Sequence, residues 1–295
     1  MEIRVLRYFL EVAREENITK SAAYLHISQP TLSRQLKELE EELGKKLFVR
    51  SNYSVKLTEE GMLLRKRAED ILAMVDKTTE EFKALDEING GDIHIGCAES
   101  EGMRCFIRAA KKLQERYPRI RYHFYSSGTD AVNERLERGL LDFAVIVQHV
   151  DLSKYNYLRL PSNDTWGLLM RKDSPLAKKT EIQTDDLMGI PLICSRQGME
   201  EEMPKWLGED LEKLHITATY DLLFNASVMV REGLGYALGF DKLIDTGAES
   251  ELCFRPLSPA LSSPMYVIWR KYQIFSPVAA LLLEELKKTY AADKT

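Results

Sequence analysis

Apolar residues in the first 60 positions recur at helical spacing in three successive runs. Residues 3–15 place Leu6, Phe9, Leu10 and Ala13 on one face. Thr19 then precedes KSAAYL as the predicted N-cap of a second, short helix. In the third run Leu32, Leu36, Leu39 and Leu43 fall at i, i+4, i+7 and i+11, a single apolar stripe. Ser28 is placed to cap that helix, Pro30 sits in the first turn where a missing N–H costs nothing, and Gly44 can stop it. Away from the leucines, Gln29, Ser33 and Lys37 line up with Pro30 and Arg34 beside them, so the helix carries a polar face its own core does not need. KKLFVRSNYSVKLTEEG then alternates apolar and polar residues around Ser51-Asn52, which predicts a two-stranded wing. Three helices and a hairpin make a winged helix-turn-helix over residues 1–58.

Thr58, Glu59 and Glu60 open a long helix with a hydroxyl cap and acids where the helix dipole favours them. Leu64, Ala68, Ile71, Val75, Thr78, Phe82 and Leu85 follow in steps of four and three, a heptad seam interrupted by Thr78. The seam predicts a linker helix over 59–88 that pairs with a second copy of the chain; the alternative is a helix lying on its own domain. A narrow stripe with charged flanks favours the homodimer.

Behind Asn89-Gly90-Gly91 the pattern changes. DIHIGCA, IRYHFYSSG and LLDFAVIV read as strands, with helices over EGMRCFIRAAKKLQERYP and TDAVNERLERG between them. Such alternation predicts a parallel sheet with crossover helices. Further strands are expected near 164–171, 190–194, 216–221 and 235–239, then MYVIWRKY and a last helix over SPVAALLLEELKKTY. The expected architecture is a two-lobed α/β domain over 91–295, lobe I being 91–161 with 268–295 and lobe II 162–267. Its ligand cleft would lie beyond the carboxyl ends of the strands.

Composition narrows the function. The charge of −5 does not advertise a nucleic-acid binder, yet residues 1–58 hold ten Lys and Arg against eight Asp and Glu, so local placement carries any DNA contact. Charges interrupt the N-terminal apolar residues, and no segment has the roughly 18 uninterrupted apolar residues of a membrane span, which leads us to expect a cytoplasmic protein. Cys97, Cys105, Cys194 and Cys253 form no CxxC or Cys/His cluster, so no metal or other cofactor is expected; reduced buried thiols are the simpler reading beside a redox-sensing pair. His26, His94, His123, His149 and His215 are scattered without a nucleophile motif, and no GxSxG, P-loop, GxGxxG or HExxH is present, which argues against an enzyme. A transport receptor would share the two-lobed fold but not the N-terminal unit.

AAYLHISQPTLSRQLKELEEELGKKLFVR followed by LTEEG resembles the LysR-type transcriptional regulators, with Ser-Gln-Pro at the head of the recognition helix and Leu-Phe-x-Arg entering the wing. SGTDAVNERLERGLLDFAV and REGLGYALGF resemble the corresponding effector-domain stretches. The resemblance implies a dimer, or a dimer of dimers forming a tetramer, that binds double-stranded operator DNA, answers to a small-molecule effector, and has RNA polymerase as a further partner. It places Gln29, Pro30, Ser33 and Arg34 in the major groove, Thr31 and Lys37 nearer phosphates, and Arg50 at the wing. Gln can bond adenine N6/N7 bidentately and Arg guanine O6/N7. Tyr53 stands where the wing often carries another Arg, so weaker dependence on A/T-rich flanks is expected.

By the same resemblance the effector site comprises Ala98, Glu99, Ser100, Gly128, Thr129, Val147 and Gln148, and across the cleft Arg196, Gln197, Gly198 and Asn225. Many relatives have Ser or Thr where this chain has Glu99. A glutamate there, read as facing Arg196, suggests a cationic or zwitterionic effector; the alternative is a Glu99 that caps a helix and points to solvent.

Overall fold

A computed structural model describes residues 1–50, 55–83, 90–147, 151–200 and 202–290; of Arg50, Glu80, Glu81 and Lys83 it describes the backbone alone. Contacts divide the chain into two compact units, Met1–Phe82 and Lys83–Thr295.

In the first unit, α1 (Ile3–Glu15), α2 (Ile18–Tyr24) and α3 (Gln29–Leu43) precede the antiparallel pair β1 (Phe48–Arg50) and β2 (Val55–Leu57). Leu6, Phe9 and Val12 of α1 meet Leu32, Leu36 and Leu39 of α3 in one core, which Leu47 and Phe48 close from the wing. Asn17, not Thr19, caps α2: its side chain accepts the N–H of Lys20. Ser28 caps α3 as expected, accepting the N–H of Thr31 at 3.3 Å, and Gly44 ends it in the left-handed conformation, φ 64°. Ser51-Asn52 and Tyr53 lie outside the described residues.

The long helix α4 is described from Glu59 to Lys83. Thr58 caps it through Gly61 N–H at 2.9 Å and ties it back to the wing through Lys46 O. The expectation of a continuous seam facing a second copy is corrected in its first half. Ala68 is fully buried in the first unit's own core, Leu64 and Ile71 pack against that core, and Leu72, outside the seam, is buried with them. Val75 is half-buried and Phe82 is 69% exposed, while Leu85 lies outside the described residues.

The second unit is a nine-stranded mixed sheet with two halves. In the first, β3 (Gly90–Cys97), β4 (Arg119–Ser126) and β5 (Phe143–Ile146) run parallel around α5 (Met103–Arg116) and α6 (Thr129–Glu137). In the second, β7 (Pro191–Ser195), β8 (His215–Tyr220) and β9 (Tyr236–Phe240) run parallel, with α7 (Arg196–Glu200), α8 (Glu202–Leu207) and α9 (Leu223–Arg231). Two long strands join the halves: β6 (Tyr155–Arg171), and β11 (Ser262–Arg270), which returns antiparallel along it. β10 (Leu252–Pro256) lies antiparallel on the outer part of β6, and α10 (Pro277–Tyr290) closes the first lobe.

The expected parallel pairing holds within β3–β5 and within β7–β9, and the sheet as a whole is mixed because the two crossing strands run against their neighbours. Residues 155–163 and 252–256, which had no predicted strand, are part of it. The lobe boundary at 267/268 also moves: Met265 and Val267 are buried in the first lobe's core with Ile93, Phe106 and Leu282, so β11 re-enters that lobe by Met265. Among the described residues no helix is long and apolar enough to cross a membrane, and no cluster of His, Cys, Asp or Glu could hold a metal ion.

Candidate DNA-reading face and effector cleft

The polar face of α3 is built by the leucines opposite it. With Leu32, Leu36 and Leu39 buried, the helix is fixed about its axis, and Gln29, Pro30, Arg34 and Lys37 are left exposed, with Thr31 and Ser33 half-buried. Gln29 Nε2 donates to Ser33 Oγ at 2.9 Å, holding both side chains on one turn. Arg34 and Lys37 rest on Glu38 and Glu41 at 3.8 and 3.4 Å. These are exposed i,i+4 pairs of little energy, so both cations can exchange onto phosphate or base oxygens.

Behind this face, Glu40 is 4% exposed and secures the wing. Its carboxylate accepts Leu47 N–H at 2.9 Å, Phe48 N–H at 3.3 Å and Lys46 Nζ at 3.0 Å. Burial alone would raise its pKa, but the Leu47 N–H, Lys46 and the Phe48 N–H outweigh it and hold the carboxyl below the ordinary glutamate value. Arg50 is described as the end of β1, and its side chain, like all of Tyr53, is outside the described atoms.

In the second unit the carboxyl ends of β3, β5, β7, β8 and β9 converge on a cleft between the lobes. Ala98, Glu99, Gly128, Thr129, Val147 and Gln197, six of the residues expected at an effector site, line it. Glu99 bridges the lobes: its Oε2 accepts the N–H of Leu223, the first residue of α9, at 2.7 Å. A second bridge runs from Thr129 N–H, opening α6, to Gln197 Oε1 at 3.3 Å. The space enclosed between them is about 50 Å3.

Other predicted residues are placed differently. Ser100 turns away, donating to Asp164 Oδ2 at 2.5 Å and accepting Gly102 N–H at 2.9 Å, and lines an adjoining outer cavity of about 320 Å3. Arg196 does not face Glu99: its guanidinium binds both oxygens of Asp221 at 3.0 and 2.7 Å on its own lobe. That corrects the juxtaposition from which the effector's charge was first read, and Glu99 caps α9 across the cleft, not a helix end facing solvent. Gly198 supports the wall from behind, where α7 runs against the indole of Trp166, and a Cβ there would sit 2.5 Å from the ring. Asn225 is exposed on α9 and off the cavity, and Gln148 lies outside the described residues.

Among the lining residues that sequence reasoning missed are Trp166, Ser195, Tyr220, Asp221 and Phe240. Four of them stand at or just beyond the ends of β7, β8 and β9, so the rule that sheets bind at their carboxyl ends could have found them. Trp166 is fixed by its Nε1–H donating to Ser263 Oγ at 2.9 Å and by Phe240, 4.5 Å away between ring centroids. The phenol of Tyr220 donates to Leu238 O at 2.7 Å, and burial raises its pKa. The four cysteines are unpaired; burial raises the thiols of Cys97 and Cys253 and pushes Cys194 up to about 12, which disfavours the reactive thiolate.

Comparison with known proteins agrees with this geometry at both ends of the chain. Residues 3–62 match the bacterial regulatory helix-turn-helix protein, lysR family, and residues 87–291 match the LysR substrate binding domain. The chain belongs to the LysR family of transcriptional regulators. It is 37% identical over 201 residues to the HTH-type transcriptional regulator BsdA of Bacillus subtilis, covering 66% of this chain and 67% of that one. It is 29% identical to the uncharacterized HTH-type transcriptional regulator YwbI of Bacillus subtilis over 97% of this chain and 96% of that one. In fold it is similar to full-length CbnR complexed with its target DNA, with a TM-score of 0.76 at 18% identity, covering 98% and 100% of the two chains. As a LysR regulator the chain is a DNA-binding transcription factor with a substrate-binding domain, and its relatives are regulators, not enzymes.

Proposed function

We propose that this LysR regulator reads its operator through α3, with Gln29, Ser33 and Arg34 on base edges, Pro30 against the groove, Thr31 and Lys37 toward phosphates, and Arg50 and Tyr53 on the wing. The observation that carries this is the rotational setting of α3: three buried leucines on one side leave Gln29, Arg34 and Lys37 exposed on the other. Gln and Arg at that spacing match the donor and acceptor code of the major groove. Residues 1–58 act as the DNA-binding unit, 59–88 as the linker, and 91–295 as the effector domain.

A homodimer, with dimers pairing into a tetramer, fits a regulator of this kind. Two-fold symmetry calls for a pseudo-palindromic operator with half-sites about one helical turn apart. With Ala68 buried at home and Leu64 and Ile71 packed in part against the same core, the contacts left to a partner are the outer face of α4 and residues such as Phe82. A small effector between the lobes changes their closure and so the spacing of the paired winged helices. RNA polymerase is the further partner at the promoter, and the protein works in the cytoplasm.

The test is a mobility shift with the DNA upstream of the chain's own gene, comparing wild type with Gln29→Ala/Arg34→Ala. Specific binding lost in the double variant supports the reading. Equal, sequence-specific binding by both overturns the assignment of this face.

A further inference from the structure

The charged residues among the described ones that face the cleft are of one sign. Among the described residues lining the inner and outer cavities, Glu99 and Asp221 are the charged ones, and no Lys, Arg or His joins them. Asp221 is neutralised by its two bonds to Arg196, which leaves Glu99 as the uncompensated ion. Glu99 lines both cavities, and its Oε2 reaches across to the other lobe. Oε2 is committed to the N–H of Leu223, and Oε1 makes no hydrogen bond among the described residues. The outer cavity of about 320 Å3 is otherwise apolar over much of its wall, with Met103, Phe224 and Ile244.

We propose that the effector is a small primary amine, whose ammonium group binds Glu99 Oε1 while its apolar body lies in the outer cavity against Met103, Phe224 and Ile244. The assignment rests on the reading of the second unit as an effector domain and adds the ligand's chemical class. An ammonium group pairs with the free oxygen without disturbing the bond to Leu223, and the pair is charge-assisted. A carboxylate ligand would meet the opposite: the N-terminus of α9, the natural anion seat, is already taken by Glu99, and with no cation among the described lining residues the newcomer would be repelled. Phe224 is 62% exposed, an apolar side chain at the mouth of the cavity that an apolar ligand body would cover.

The experiment titrates the full-length protein with two matched pairs of probes, butylammonium against butyrate and phenethylammonium against phenylacetate, at constant ionic strength. Affinity is read by calorimetry and thermal shift. Glu99→Gln is the paired variant, since its amide oxygen can still accept the Leu223 N–H while the charge is gone. Saturable binding of an ammonium probe to wild type is expected, with affinity about ten-fold or more weaker in Glu99→Gln and no binding of the carboxylates. Carboxylates binding wild type as well as amines do, amines binding Glu99→Gln undiminished, or no amine binding at all would each overturn the proposal. Operator binding measured on the same samples separates the two levels: loss of the ligand result with specific DNA binding intact rejects the amine and leaves the regulator reading standing.

Discussion

The carboxylate of Glu40, near the end of the recognition helix, accepts the backbone N–H of Leu47 at 2.9 Å at the entry to the wing. With Phe48 N–H as a second donor, one side chain replaces the hydrogen-bonding partners that the chain loses on leaving α3. Glu40→Ala strands both N–H groups in a buried place and is expected to destabilise the DNA-binding unit by about 2 kcal/mol, while Glu40→Gln, which keeps an acceptor oxygen, loses less. The Lys46 contact adds little, because that ammonium is exposed. The folded carboxyl lies below its ordinary value, so its contribution is fully present above the unfolded pKa of about 4.3 and disappears as the pH falls through the lower folded value. Urea unfolding at pH 7 and at progressively lower pH checks both points; a wild-type advantage over Glu40→Ala that persists unchanged into strong acid contradicts the assignment.

Asp164 behaves in the opposite sense. It sits on β6 opposite Ser263 of β11, where the chain passes between lobes, and burial raises its pKa against the lowering effect of the Ser100 hydroxyl and the Gly102 N–H; nearby Glu101 raises it and Lys242 lowers it. A raised carboxyl costs nothing while both folded and unfolded forms are protonated. The cost begins as the pH rises past the unfolded value of about 3.9 and levels off above the folded one. Asp164→Asn keeps an acceptor for Ser100 and removes that cost, so its melting temperature should gain on wild type as the pH is raised from 4 to 7. A gap that stays constant or shrinks over this range would contradict it.

How much of this could be read from sequence depended on whether the determinant was local. The face of α3 was legible because Leu32, Leu36 and Leu39 fix the helix rotation and Ser28 fixes its start, all within 12 residues. The cap of α2 was misplaced because Asn17 and Thr19 are both good capping types, and only the geometry puts Asn17 before Ile18. Periodicity on α4 announced a buried face but not its partner, so Leu64, Ala68 and Ile71 were assigned to a second copy when they pack at home. The first half of β6 was invisible: Pro161 and Asn163 resemble a loop, and a strand that passes from one lobe to another keeps no single alternation of burial. The two ends of the Glu99 to Leu223 bridge are 124 residues apart, beyond any local pattern.

Gly198 tests whether the cleft wall tolerates any shift. The Cβ of Gly198→Ala would lie 2.5 Å from the Trp166 ring, and that ring is held by Ser263 and packed on Phe240, so it has little room to yield. A loss of about 1–3 kcal/mol is expected from overpacking. Denaturant unfolding of the effector domain followed by tryptophan fluorescence gives the number, and a neutral substitution would mean that α7 or the indole moves freely.

Tyr53, proposed above as a wing contact with DNA, lacks the fixed cation that a narrow minor groove attracts. Tyr53→Arg should therefore increase the preference for A/T-rich sequence flanking the half-sites, measured by selection from a library with randomised flanks. An unchanged flank preference would remove this residue from the DNA interface.

Arg34 and Lys37 stand one turn apart on α3 and should fail in different ways. Each is exposed and, among the described residues, paired with an i+4 glutamate, so truncation does little to folding and the effect appears in DNA binding. A phosphate contact is indifferent to sequence: Lys37→Ala should weaken all operators alike and reduce the slope of log K against log salt by about 1. An arginine bonded bidentately to guanine is not indifferent, and Arg34→Ala should erase about 1–3 kcal/mol of discrimination at one base pair while changing other positions little. Binding isotherms on single-base operator variants at several salt concentrations separate the two. If Arg34→Ala also weakens every variant equally, the helix sits on the backbone at this point and the bases are read by Gln29 and Ser33 alone.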